Sequence, residues 1–287
     1  MRRAATSLSI GTSSRSSSDR STAPSKGRSG SLTVVGTGIQ FGNQTTLEAR
    51  REIEQADKVL YLFVDPAPEP WITRLNRTAE SLDAYYAEGK PRSETYEQIV
   101  EEILRWVRRG LRVCAVFYGH PGVFVTPSHE AVARARSEGF AARMLPGVSA
   151  EDCLFADLGV DPGTAGCQSF EATSFLLYHR EFDTSIPLVL WQIATIGQRE
   201  GLTQPSRHGL EILLDRLTER YGANHHVVLY EASPYSIGEP VIKDVPLNEV
   251  DPDQVTGMAT MYVPPKGEPA PDPEMAERLR LAGPVMR

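Results

Sequence analysis

The sequence predicts two α/β domains with mainly parallel sheets. Three observations predict it. From residue 31 onward, short runs rich in Val, Leu and Ile alternate with stretches of helical spacing. Pro146-Gly147 breaks that alternation, and a second set of apolar runs follows. Strands separated by helices pair in parallel, with helices over both faces of the sheet. The expected division is a disordered tail over 1–30, domains over 31–146 and 147–265, and a proline- and acid-rich tail with a short helix over 266–287. A chain of 287 residues is long enough for two modest domains.

Each element follows from a local pattern. Leu32-Thr33-Val34-Val35-Gly36 is an apolar run closed by glycine, the mark of a buried strand. Gln44–Ala56 places Leu47, Ile53 and Ala56 on one helical face, with Asn43 as the expected N-cap. Lys58–Val64 is a second strand. Ser93–Arg109 turns Tyr96, Ile99, Val100, Ile103, Leu104 and Val107 inward and stops at Gly110. Arg112–Tyr118 is a third strand. Thr126-Pro127 opens another helix, with proline at its first position and Gly139 beyond its end. Ala141–Leu145 is a fourth strand. Ser149 caps a short helix, and Asp152 stands at the capping-box position. Later strands are expected at Pro187–Thr195, His225–Ser233 and Ala259–Pro265, with the helix His208–Tyr221 closed by Gly222. A last helix is expected over Pro273–Ala282.

Composition excludes several functions. The net charge is −7, but residues 1–30 carry six basic side chains and one acid, so the body carries −12. An acidic body argues against a nucleic-acid groove. No apolar run reaches the length of a membrane span. Cys114, Cys153 and Cys167 are odd in number and lack C-x-x-C spacing, so they read as buried hydrophobes in a reducing, cytoplasmic protein. The first thirty residues include ten serines and few apolar side chains, and too little surface is available to offset ordering entropy.

Three loops carry the chemistry. Gly36-Thr37-Gly38 follows the first strand; alone it reads more readily as a tight turn than as a ligand loop. Gly119-His120-Pro121-Gly122 follows the third, at a carboxyl end of the sheet where α/β proteins bind ligands. Its glycines let backbone approach a ligand; the plain alternative is a turn with a satisfied histidine. Leu145-Pro146-Gly147-Val148-Ser149-Ala150 runs a strand into a capped helix whose first N–H groups point outward.

These three pieces, at Val35–Ile39, Gly119–Phe124 and Pro146–Ala150, together resemble the tetrapyrrole methylases, the class III S-adenosylmethionine methyltransferases. The resemblance runs from Leu32 to about Pro265. Ile39 departs from the family's proline, and His120 stands where an aspartate is usual. Those departures, with Phe117–His129, Met144–Asp161, Glu171-Ala172-Thr173, Trp191-Gln192 and Tyr262–Pro265, resemble the methyltransferase domain of the borosins, which N-methylate backbone amides of a ribosomal precursor peptide. Phe170 departs from the polar residue of that pattern. The resemblance implies a cofactor, S-adenosylmethionine, in the cleft between the domains, with S-adenosylhomocysteine as product. The contacts it implies are Gly36, Gly38, Tyr118, His120, Pro121, Gly122, Val123, Phe124, Ser149, Ala150, Trp191 and Thr260. It also implies a homodimer. Because the sequence ends soon after Pro265 with no apolar core-peptide repeat, a separately encoded precursor peptide is the expected substrate.

The block Tyr85-Tyr86, Arg92, Tyr96 matches the borosin Tyr/Arg/Tyr cluster. An amide nitrogen is a poor nucleophile, so a tyrosine base for its proton and an arginine for the developing imidate oxygen suit the task. Tyr86, Arg92, Tyr96 and Tyr118 are the expected catalytic residues. Without the resemblance, Tyr96 reads equally as a core or a catalytic tyrosine, and a solvated loop arginine is an open reading of Arg92. His120 and His129 lack ligand spacing, and His225-His226 face opposite ways, so no metal site is expected. Two other readings stay open: a methyltransferase for a tetrapyrrole, corrinoid or other small metabolite, and a module that binds donor or peptide without turnover.

Overall fold

The computed structural model describes residues 29–199 and 205–280. The serine-rich segment therefore lies almost wholly outside the described residues, as does the end of the expected helix Pro273–Ala282.

The chain begins with β1 (Ser31–Gly36), α1 (Leu47–Gln55), β2 (Lys58–Leu62), α2 (Glu69–Leu75), the two-residue β3 (Glu80–Ser81), α3 (Arg92–Arg108), β4 (Arg112–Phe117), α4 (Thr126–Ser137) and β5 (Ala141–Met144). The first sheet has the order β3-β2-β4-β1-β5, and every pairing in it is parallel. Alternate strand residues face opposite sides. Val34, Ala115 and Phe117 meet Ile99, Ile103 and Ala131 of α3 and α4. Val35, Val59 and Val116 meet Ala49, Ile53 and Ile72 of α1 and α2. The neighbouring strands β1 and β4 thus send their following helices to opposite faces. The crevice beside their carboxyl ends is where such sheets bind ligands.

The helix start at α1 is corrected by the structure. Its N-cap is Thr46, whose hydroxyl accepts from the Ala49 N–H at 3.1 Å, and not Asn43. Gln44 instead uses its side-chain oxygen to accept from the Ile39 and Gln40 N–H groups, at 2.8 and 2.9 Å. A cap needs its oxygen beside the third N–H of the helix, which Thr46 supplies.

The second half contains α5 (Ala150–Leu158), α6 (Pro162–Ala165), β6 (Gln168–Glu171), α7 (Ala172–Leu177), β7 (Leu188–Trp191), α8 (Arg207–Tyr221), β8 (His226–Glu231), β9 (Val241–Pro246), β10 (Thr260–Val263) and α9 (Pro273–Arg278). Its sheet has the order β6-β7-β10-β8-β9. Here the expectation of mainly parallel sheets needs correction. Only β6–β7 is parallel, and the other three pairings are antiparallel. The reason is connectivity: β8 and β9 form a hairpin, and no helix separates them. One face packs on α8 through Leu210, Leu213 and Leu217. The other takes Leu154 of α5 against Val189, Trp191, Tyr230 and Tyr262. Among the described residues, no helix is long and apolar enough to cross a membrane.

Candidate active site

Three loops at the carboxyl edge of the first sheet pack into one knot. Gly38 and Gly119 exchange backbone hydrogen bonds of 3.2 and 3.1 Å. A Cβ on Gly36 would lie 2.1 Å from the Gly119 carbonyl oxygen and 2.7 Å from the Pro121 ring. A Cβ on Gly147 would lie 3.1 Å from the same oxygen. Glycine is needed at 36 because the loop after β4 occupies the space a side chain would take. This gives the first loop a physical role that its sequence left open. Gly36, Gly38, Pro121 and Gly122, expected as cofactor contacts, are not among the side chains lining the cavity. They hold the loop that does line it.

That loop is fixed from within. The Gly122 N–H donates to His120 Nδ1 at 2.9 Å, and the Val123 N–H donates to the His120 carbonyl at 3.1 Å. His129 Nε2 meets the Gly122 carbonyl at 2.8 Å, and the Ser128 hydroxyl donates to the carbonyls of Pro121 and Val125. His120 and His129 are loop fasteners in this arrangement, and the described residues contain no group of metal-ligating side chains. At the third loop, Ser149 and Asp152 form the reciprocal capping box, with bonds of 2.7 and 3.1 Å.

Above the knot lies a cavity of about 680 Å³ between the two sheets. From the first half it takes Tyr86, Tyr96, Tyr118, His120, Val123 and Phe124. Ser149, Ala150, Trp191 and Thr260 close it from the second. Phe124 faces Trp191 across the gap, with ring centroids 5.8 Å apart, and the Trp191 indole N–H donates to Ser169 at 2.7 Å. Two of the non-glycine residues with left-handed backbone, Phe124 (φ 56°) and Gln192 (φ 58°), line the cavity from opposite sides. Strain of this kind collects at ligand sites.

Of the two readings of Tyr96, inward core residue and catalytic residue, the structure departs from the first: Tyr96 is not among the buried residues of α3 and lines the cavity. Arg92, at the start of α3, does not line the cavity. Its backbone N–H donates to the Arg199 carbonyl of the second domain at 3.0 Å. Its charge reaches both phenols. Burial pushes the Tyr86 phenol up to about 12, with Tyr96 and Asp83 adding to the rise and Arg92 opposing it. Burial also raises Tyr96, again against Arg92. Tyr118 is pushed up to about 12 by burial and by Cys153. Sequence reading missed Val64, Asp65, Asp83 and Met258, which also line the cavity. The run from Phe63 to Pro66 follows β2 at the same carboxyl edge, a signal that could have found Asp65. Nothing local marks Met258.

Fold and cleft together define a class: a two-domain α/β protein with a cavity between its two sheets. The chain belongs to the tetrapyrrole (corrin/porphyrin) methylase family, whose model matches residues 31–236. It is 46% identical over 259 residues to the methyltransferase/ribosomally synthesized cyclic peptide gymnopeptides precursor of Gymnopus fusipes, covering 88% of this chain and 62% of that one. Identity is the same, over the same shares, with the corresponding omphalotin A precursor of Omphalotus olearius. A type I borosin cyclic peptide precursor of Coprinopsis marcescibilis is 43% identical over 250 residues, 85% of this chain and 64% of that one. The chain spans about three fifths of the length of these curated relatives. In fold it is similar to uroporphyrin-III-C-methyltransferase from Thermus thermophilus, with a TM-score of 0.59 and 19% identity, covering 83% of this chain and 95% of that one.

Proposed function

We propose that this protein transfers a methyl group from S-adenosylmethionine to backbone amide nitrogens of a peptide. The observation that carries the reading is that Tyr86 and Tyr96 share one cavity with the Tyr118–Phe124 loop, under the charge of Arg92. The names of the relatives, which join a methyltransferase to a cyclic peptide precursor, support the same acceptor.

The residues present fit the donor. The cavity is within the usual size of a ligand site and has room for an acceptor beside the donor. The glycine knot brings backbone close, and Phe124 and Trp191 supply flat apolar walls. The donor, when bound, supplies an electrophilic methyl group. Tyr118, His120, Val123, Phe124, Ser149, Ala150, Trp191 and Thr260 are the residues that would hold it. Arg92, whose charge reaches both phenols from the start of α3, would stabilise charge gathering on the acceptor oxygen. Tyr86, as the minor phenolate form, takes the amide proton and becomes the neutral phenol; Arg92 favours that form by opposing the rise in its pKa. Tyr96 and Tyr118 orient the amide. The cavity walls, Phe124 and Trp191 among them, would hold acceptor and donor side by side, and such proximity would supply much of the acceleration.

The test incubates the full chain with isotopically labelled methyl donor and a synthetic peptide, offered as a separate molecule, with mass spectrometry locating each added methyl. Label on backbone nitrogens supports the reading. Label on a tetrapyrrole offered in parallel, with none on peptide, overturns the acceptor. Donor binding without transfer to any acceptor reduces the protein to a binding module.

A further inference from the structure

The turn between β8 and β9, residues 232–240, reaches from the second domain to the first. The Tyr235 hydroxyl donates to Asp65 Oδ2 at 2.8 Å, while Asp65 Oδ1 accepts from the Ala67 N–H at 2.7 Å. Both carboxylate oxygens are therefore engaged, and the carboxylate is aimed by its own turn. The turn that presents Tyr235 is also fixed. Its carbonyl accepts from the Ser233 hydroxyl at 2.9 Å and from the Gly238 N–H at 3.1 Å. Asp65 lines the cavity and Tyr235 does not, so the bond lies at the rim. At the base of the same hairpin, Glu231 accepts from the Thr256 hydroxyl, one residue before the cavity-lining run Gly257–Thr260. A displacement of this hairpin is thereby coupled to the cavity wall.

We propose that Tyr235 is a positioning residue for donor exchange. Its bond to Asp65 latches the second domain onto the first and slows departure of the spent donor. The proposal rests on the reading that the donor occupies this cleft. One exposed hydrogen bond is weak, so the latch opens readily and its effect is modest. The backbone bond from Arg92 to Arg199 is a second tie between the same domains. Opening the latch therefore loosens the segment that presents Arg92.

Two measurements on the full chain test this. In stopped-flow release of S-adenosylhomocysteine, Tyr235→Phe is expected to release about threefold faster than the unmodified protein, the scale of one exposed hydrogen bond. The double variant Tyr235→Phe/Asp65→Ala should release no faster than Asp65→Ala, because both changes break one bond. A wild-type release rate in Tyr235→Phe, or additive effects in the double variant, overturns the proposal. Hydrogen exchange without any donor gives an independent readout: the Arg92 amide should exchange faster in Tyr235→Phe, and unchanged exchange overturns the latch. If the unmodified protein binds no S-adenosylhomocysteine, the donor reading falls and with it the exchange role. The latch as a domain tie is then decided by the amide exchange alone.

Discussion

Tyr86 is a phenol at neutral pH, because burial pushes it up to about 12 while Arg92 pulls only partly against this. Its base form is therefore scarce below that pH and grows as pH rises. If it takes the amide proton, turnover under saturating substrates should climb about tenfold per pH unit between roughly pH 7 and 9. Tyr86→Phe should flatten that profile, and a flat profile in the unmodified protein would remove Tyr86 from the proton transfer. Arg92→Ala should lower turnover about a hundredfold or more, as loss of an oxyanion-type partner does, while leaving donor binding intact by calorimetry. Loss of folding instead would make Arg92 structural. The identities of Tyr86, Arg92 and Tyr96 were legible in the sequence only through their match to a known spacing. Taken alone, Tyr96 read equally as core, since a helical face does not reveal where the sheet beneath it ends.

At the scale of elements, the glycine knot is the feature that ties β1, β4 and β5 into one floor. Gly36→Ala would drive a methyl group into the Gly119 carbonyl 2.1 Å away, and neither backbone can yield without moving the other. Overpacking of this kind should weaken donor binding by about tenfold or more and lower the melting temperature. Retained affinity in isothermal titration would show that the loop tolerates displacement. Ser149 caps α5 through the Asp152 N–H at 3.1 Å. Ser149→Ala should destabilise the fold by ~1 kcal/mol in urea unfolding, and Ser149→Thr should restore most of it. The strong helices and the buried strands of the first sheet were readable because apolar spacing fixes them. β6 and β9 were missed. β9 is an edge strand whose first four residues are exposed, so it lacks the apolar alternation that marks a strand. β6 is four residues long and only partly buried.

Across the whole molecule, several phenols that are half-buried or buried set a common alkaline limit. Tyr86, Tyr118 and Tyr221 are each pushed up to about 12, above the ordinary value of 10.0, mainly by burial. The folded state holds these protons more tightly than the unfolded chain. Their contribution to stability is thus complete below pH 10 and is lost as pH rises toward 12. Urea midpoints should be steady with respect to these groups up to about pH 10 and fall steeply above it. Tyr118→Phe should soften that fall, and an unchanged slope would assign the alkaline loss to other groups. The cavity also belongs to this scale: its walls come from both sheets, and Phe124 meets Trp191 only because the domains face each other.

Sequence by itself determined the parallel first sheet, the capped helix at Ser149 and the three glycine-bearing loops, because each rests on spacing within a dozen residues. It also supplied the family, since three loops in fixed order are specific where one is not. Only the tertiary structure decided what those loops do. It placed Gly36 and Gly38 in the floor beneath the cavity: the loop after β4 fills the space beside Gly36, Gln44 fills that beside Gly38, and Gly38 bonds to Gly119 of the same loop. It turned the second sheet mostly antiparallel, because a hairpin there replaces a helical crossover. And it set Asp65 and Tyr235 within hydrogen-bond distance, a pairing 170 residues apart that no local pattern encodes.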